Sequence, residues 1–310
     1  MNYTTIEKQD ISISTIGLGT NAVGGHNLFE NLNEEVGKEL VKVALNNGVT
    51  LIDTADIYGP GRSEELVGEV LQSFPREQYI LATKGARMQN EKGEIVTNNE
   101  PDYLRSACEA SLQRLGLDYI DIYFIHFPEQ GASLELAVAE LVKLKQEGKI
   151  RAIGISNVTL EQLEEANSTG DIDVVQLEYN MLNRAIEEDI LPYCIEQQIA
   201  VVAYGPLAFG ILGGKYTKDL KLDSGDWRNR VDFFKAGNFE VNLSKVEKLK
   251  EIAVKKDTSI GNLAIAWLLA QKGITAVIPG GKKTDQLLEN LKASEIKLTA
   301  EDLANIEAII

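Results

Sequence analysis

The side chains that most often hold metals or act as thiol nucleophiles are almost missing from this chain. Its 310 residues include only two histidines and two cysteines. His26 and His126 belong to no HxxxH pair and to no Cys/His cluster, so the sequence offers no transition-metal site. Cys108 and Cys194 form no CxxC motif. They sit in helix-like surroundings and read as reduced, partly buried thiols. Positive charge is also short: 31 Lys and Arg stand against 47 Asp and Glu, a formal net charge of -16. That balance excludes a general nucleic-acid binder, which needs cations in excess on one face. It still allows a small anionic ligand held by one local cluster. No apolar run approaches the roughly 20 residues needed to span a bilayer. The opening segment MNYTTIEKQD lacks the apolar stretch of a signal peptide. A cytoplasmic protein that binds neither membrane nor nucleic acid is expected, and the Asn-x-Ser/Thr triplets at Asn2, Asn157, Asn167 and Asn242 then read as chance matches.

What is present is ordinary for a globular fold, with 44% hydrophobic and 25% charged residues. Eight short β-type runs recur along the chain: Ile13–Thr20, Val49–Asp53, Tyr79–Lys84, Tyr119–His126, Ile150–Ser156, Val174–Tyr179, Ile199–Tyr204 and Ile274–Pro279. They are rich in Ile, Val and Tyr, and several show little polar alternation, as strands buried on both faces do. The segments between them read as amphipathic helices. Leu66, Val67, Val70 and Leu71 make one apolar stripe, and Leu104, Ala107, Cys108, Ser111, Leu112 and Leu115 another. Thr159 and Gln162 form a capping box, and Gly148 stands where a left-handed residue would end a helix. Strict β–α alternation without a linker or a change of composition predicts parallel strands in one domain, residues 1–310. Eight units predict a closed (β/α)8 TIM barrel.

Three additions are expected. Tyr3 to Ile13 fits a hairpin plugging the barrel floor, and Ala300 to Ile309, capped by Thr299, fits a terminal helix. Between strands seven and eight lies a long loop, Ala208 to Asn238, with five glycines plus Trp227, Phe233 and Phe234. It reads either as a cover over a ligand or as an excursion whose aromatics pack on one another. Two glycine motifs lead nowhere. Gly17-Leu-Gly19-Thr-Asn-Ala22 follows a strand but opens no helix, so it is not a dinucleotide fingerprint. GGKKT lacks the upstream glycine of a P-loop.

In such a barrel the reactive side chains sit at the C-terminal ends of the strands. Asp53 closes strand two, with Tyr58 in the loop after it; Lys84 closes strand three and His126 strand four. An acid, a phenol, an amine and an imidazole thus converge on one mouth, where burial would be costly unless they pair. Reduction of a carbonyl by hydride needs a proton donor at the developing alkoxide. A phenol has an ordinary pKa of about 10, which a neighbouring ammonium lowers. Lys84 is positioned to act on Tyr58, Asp53 to hold Lys84, and His126 to hydrogen-bond the carbonyl oxygen. His26 reads equally as a pocket residue or as a solvated loop side chain.

The segments LIDTADIYGPGRSEELVG, LATK, YIDIYFIHFP, GKIRAIGISN, VVAYGPLAFGILGGKY and IPGGKKTDQLLENL resemble, in order and spacing, the motifs of the aldo-keto reductase superfamily. The resemblance runs from about Ile16 to the end of the chain. IGLGTNAVGGHNL is similar to the bacterial inositol-operon and general-stress-type NADPH-dependent members. The resemblance implies a catalytic tetrad of Asp53, Tyr58, Lys84 and His126. It also implies NADPH/NADP+ as cofactor, lying across the mouth against Thr20, Asn21, Asp53, Ser156, Asn157, Gln176 and Tyr204. Gly205, Pro206 and Leu207 would cover the pyrophosphate. Gly280, Gly281, Lys282, Lys283, Gln286 and Asn290 would take the adenosine end, with a helix N-terminus at about Thr284. Lys282 and Lys283 would read the 2′-phosphate. The family often carries Arg at or beside these two positions, and in some branches where this chain has Gln286. The implied partner is a small carbonyl or alcohol substrate, and the implied state a monomer. Two other readings stay open: a barrel lyase forming a Schiff base on Lys84, and a cofactor-sensing regulatory subunit of the same fold.

Overall fold

The computed structural model describes every residue except Glu91. The chain opens with an antiparallel hairpin of β1 (Tyr3–Ile6) and β2 (Ile11–Ser14), turned at Asp10, whose φ is 51°. Then follow β3 (Leu18–Gly19), α1 (Glu34–Asn46), β4 (Leu51–Asp53), α2 (Arg62–Leu71), β5 (Ile80–Gly85), β6 (Arg87–Gln89), β7 (Ile95–Thr97), α3 (Pro101–Leu115), β8 (Ile120–Ile125), α4 (Leu134–Gln146) and β9 (Ile150–Ser156). The second half continues with α5 (Leu160–Ala166), β10 (Val174–Glu178), α6 (Ile190–Glu196), β11 (Ala200–Tyr204), α7 (Asn238–Lys255), α8 (Ile260–Leu269), β12 (Ile274–Ile278), α9 (Thr284–Leu291) and α10 (Ala300–Glu307).

Eight strands pair side by side in the order β3-β4-β5-β8-β9-β10-β11-β12, all parallel. Parallel bridges from Ile16 to Val277 and from Gly19 to Gly280 bring the two edges together. This is the (β/α)8 barrel expected from the alternation, and seven of its strands lie within one or two residues of the runs read from sequence. The first strand needs correction. Ile13 and Ser14 belong to the floor hairpin, and only Leu18–Gly19 pairs as a barrel strand. Here the neighbouring strands approach too closely for side chains: a Cβ on Gly17 would lie 2.9 Å from Ile278 and 3.0 Å from the Leu51 carbonyl oxygen. The hairpin of β6 and β7, in the loop after β5, was not anticipated, because three residues per arm are too few to show a period.

Two apolar cores result. Inside the barrel, Ile6, Ile11 and Ile13 of the floor hairpin meet Leu51, Ala82, Ile122, Phe124, Val174, Val202 and Ile278. Gly154 leaves room for the Phe124 ring, which a Cβ there would strike. Outside, the stripes of α2 and α3 are buried between helix and sheet, with Leu112 only partly covered. The Thr159–Gln162 capping box, the Thr299 cap and the left-handed Gly148, φ 77°, are all in place. The long loop folds on its own aromatics: Phe209 meets Trp227 edge-on at 5.0 Å, and Arg228 donates to the Tyr216 hydroxyl at 2.6 Å. Among the described residues, no helix is long and apolar enough to cross a membrane.

Candidate active site

The period of two that builds the inner core also builds the site. Along each strand, every second side chain points into the barrel. Leu51 is followed inward by Asp53, Ala82 by Lys84, Phe124 by His126, Val174 by Gln176 and Val202 by Tyr204. The lower members are apolar and pack on the floor hairpin. The upper members are polar and meet above them.

Lys84 and Asp53 are 1% and 3% exposed. The Lys84 ammonium donates to Asp53 Oδ2 at 2.7 Å and to the Thr54 carbonyl oxygen at 2.8 Å. Gln176 Nε2 donates to Asp53 Oδ1 at 2.8 Å, so both carboxylate oxygens are satisfied. A buried ion pair with its remaining lone pairs filled is the arrangement a low-dielectric site tolerates. The backbone of this corner is tied as well: the Thr20 hydroxyl and amide both donate to the Asp53 carbonyl oxygen at 2.9 Å. Ser63 joins Thr20 and Thr54. Thr20 therefore spends its hydroxyl on the scaffold.

Tyr58 is half-buried above Lys84, whose ammonium lies 5.6 Å from the ring centroid. Burial pushes the Tyr58 phenol well above its ordinary range, and Asp53, Tyr204 and Asp56 add to it. The anticipated lowering by Lys84 is absent because that ammonium is occupied by Asp53 and Thr54. His126 meets the Tyr58 ring edge-on at 6.0 Å. Burial first, then the charges of Lys84 and Arg87, hold its imidazole well below the usual range. It is therefore neutral, and among the described residues its buried Nδ1 has no partner.

Around this group stand the side chains expected to meet a nicotinamide. The Ser156 hydroxyl donates to the Gln176 carbonyl oxygen at 2.7 Å. Asn157, with φ 58°, donates to the His126 carbonyl oxygen at 2.9 Å and accepts from the Tyr204 hydroxyl at 2.7 Å. This leaves Asn157 Oδ1 a second lone pair and Gln176 its Oε1 acceptor. After β11 the backbone turns through Gly205, φ 65°, the buried Pro206 and Leu207. It then takes left-handed conformations at Ala208, Phe209 and Gly210 in succession. Such strain at non-glycine residues concentrates at functional sites.

The segment Gly280–Lys283 borders β3: a Cβ on Gly280 would sit 3.5 Å from Asn21 Oδ1. Lys282 and Lys283 are exposed and lead into α9, where the backbone amide of Lys282 is capped by Gln286 Oε1 at 3.0 Å. Asn290 is buried farther along that helix. A cavity of about 440 Å³ opens beside Lys282, Lys283 and Thr284, against Asn31, Leu32 and Asn33. It holds none of the four tetrad residues. Burial lowers the Lys282 ammonium, and the next cause is Arg228, opposed by Asp226. The long loop therefore brings the Arg228–Asp226 ion pair within electrostatic range of Lys282. Arg228 was missed in the sequence, where one Arg in a loop carries no signal. His26 is exposed and meets Glu34 at 3.1 Å.

A family model described as "Aldo/keto reductase family" matches residues 15–310. The chain is 35% identical over 312 residues to aldo-keto reductase YhdN of Bacillus subtilis (strain 168), covering 100% of this chain and 94% of that protein. It is 36% identical over 306 residues to the NADH-specific methylglyoxal reductase of Escherichia coli (strain K12), covering 94% and 93%. Among solved structures, the glycerol dehydrogenase AKR11B4 from Gluconobacter oxydans superposes with a TM-score of 0.92 at 32% identity, covering 99% of this chain and 94% of that one.

Proposed function

The chain belongs to the aldo/keto reductase family of oxidoreductases, and from that premise we propose that it reduces aldehydes or ketones with NADPH, Tyr58 giving the proton. The observation that carries this reading is the convergence of Tyr58, the Asp53–Lys84 ion pair and a neutral His126 at one barrel mouth.

The donor set fits a nicotinamide cofactor. Ser156, Asn157 and Gln176 surround one spot with spare acceptor capacity, and Tyr204 is fixed beside them by its bond to Asn157. Glycine backbone at Gly280 and Gly281 and the N-terminus of α9 suit a phosphate. Bound there, the reduced nicotinamide supplies hydride to the carbonyl carbon. The protein's own work is on the oxygen. Tyr58 keeps its proton across the neutral range, which is the form a general acid needs. His126, uncharged, offers one N–H to the carbonyl oxygen and orients the substrate. Beneath Tyr58 the Asp53–Lys84 pair forms the floor of the site, with the ammonium 5.6 Å from the Tyr58 ring centroid and held in place by Asp53. The same ties argue against Lys84 as a Schiff-base amine, since its nitrogen is held as a cation by two oxygens.

Preference for NADPH is assigned to Lys282 and Lys283, the exposed cations that lead into α9. Family membership does not decide it, because one relative is NADH-specific. The test is a panel of aldehydes and ketones assayed with NADPH and with NADH by loss of cofactor absorbance. Turnover with a higher kcat/KM for NADPH is expected. No turnover with either cofactor would overturn the reading, and a preference for NADH would overturn its cofactor part.

A further inference from the structure

The mouth holds a cation that the reaction as described does not use. Arg87 begins β6, three residues after Lys84. Its guanidinium stacks on the Phe127 ring with 4.5 Å from Cζ to the centroid, and Phe127 in turn lies 5.2 Å from the His126 ring. Arg87 is half-buried. Among the described residues, its enclosed Nε has no hydrogen-bond partner and no carboxylate forms an ion pair with it. The acid whose charge it feels is Asp56, itself pushed well above the usual carboxylate range by burial and by Glu64. Lys84, by contrast, is balanced by Asp53. Among the described residues, the mouth therefore holds a guanidinium without an ion-pair partner, in a chain whose formal net charge is -16.

The backbone holds this side chain deliberately. Ala86, fully buried, takes φ 81°, so the chain leaves β5 through a conformation that costs energy for a residue with a Cβ. The hairpin is then clamped to the loop that carries Phe127. The buried Asn99 donates to the Phe127 carbonyl oxygen at 3.1 Å and accepts from the Glu129 amide at 2.6 Å. Arg87 is thus braced beside His126 rather than left free in solvent.

We infer that Arg87 binds a carboxylate carried by the substrate, so that the natural substrate is an aldehyde or ketone bearing an acidic group within reach of its carbonyl. The inference rests on the reductase reading above and specifies its substrate class. A guanidinium offers a planar fork that matches a carboxylate in two parallel hydrogen bonds, and partial burial strengthens such contacts. A desolvated, unpaired cation is costly until an anion meets it.

The experiment compares 3- and 4-carboxybenzaldehyde, two reaches of the same group, each with its methyl ester, in the wild type, Arg87→Met and Arg87→Lys. The wild type should favour at least one acid over its ester through KM. Arg87→Met should shrink that preference by about tenfold to a hundredfold, the loss of one charge-assisted contact. Arg87→Lys, which keeps the charge and loses the fork, should fall between. A purely structural role on Phe127 would move acid and ester together, and that outcome overturns the inference while ester turnover leaves the reductase reading standing. Wild-type indifference between every acid and its ester overturns it equally. Absence of turnover for all four compounds in the wild type sinks the reductase reading, and this inference with it.

Discussion

Replacing Lys84 by methionine removes the ammonium and keeps most of the side-chain volume. It strands Asp53, which is 3% exposed and retains only Gln176 as a side-chain partner, at 2.8 Å. Breaking a buried pair in this way costs about 3–5 kcal/mol, because an uncompensated charge is left in the interior. That is a large share of the roughly 5–15 kcal/mol by which proteins are stable. The loss of charge, rather than of packing, is the source of the cost, so Asp53→Asn on top of Lys84→Met should recover about 2 kcal/mol relative to the single change. The stranded carboxylate can also escape by taking up a proton. The Lys84→Met deficit should therefore shrink on acidification, by at most about 1.4 kcal/mol per pH unit. Asp53→Asn alone strands the ammonium, and its deficit should shrink in the alkaline direction instead. Urea unfolding followed through the fully buried Trp267 measures all four proteins. A pH-independent deficit, or a double variant as unstable as the sum of the singles, would refute the argument that a desolvated ion pair underlies the site.

Other outcomes follow from the same geometry. Converting Lys282 and Lys283 together to alanine should weaken NADPH by about tenfold or more while NADH binding hardly moves, since only the former carries the 2′-phosphate. Fluorescence titration at low and high salt reads this, and equal losses for both cofactors would mean that the lysines support the loop. His126 supplies a pH signature. Its folded-state value is depressed, so the unfolded chain takes up its proton first as pH falls below about 6.5, and the stabilisation present above that pH is lost below it. The wild type should lose about 1 kcal/mol more than His126→Gln between pH 6.5 and 5.5. Parallel losses in the two proteins would place a charged imidazole in the folded site.

Much of this was legible in the chain because barrel strands obey a period of two. That period put Asp53, Lys84 and His126 at strand ends and required their convergence once eight parallel strands were counted. Three features were not legible. The split of the first run into Ile11–Ser14 and Leu18–Gly19 depends on contacts to Ile278 and Leu51, far away in sequence. The short β6–β7 hairpin shows no pattern of its own, so Arg87 looked like any loop cation. The electrostatic state of Tyr58 could not be read either. Proximity to Lys84 suggested a lowered phenol, whereas the hydrogen bonds to Asp53 and Thr54 consume that charge and burial dominates. The long loop lies between the two readings given to it: its aromatics do cluster, and its Arg228–Asp226 ion pair acts on the Lys282 ammonium.

Tyr58 is proposed to hand a proton to the carbonyl oxygen during reduction. Tyr58→Phe deletes that hydroxyl and leaves the Asp53–Lys84 pair and Gln176 in place, since neither hydrogen-bonds to it. Single-turnover reduction of an aldehyde by the protein preloaded with NADPH, with cofactor affinity measured in parallel, isolates the step. The account predicts a fall of about a hundredfold or more in the rate, the range for losing a general acid, with NADPH affinity nearly unchanged. A variant that keeps close to the wild-type rate would contradict it.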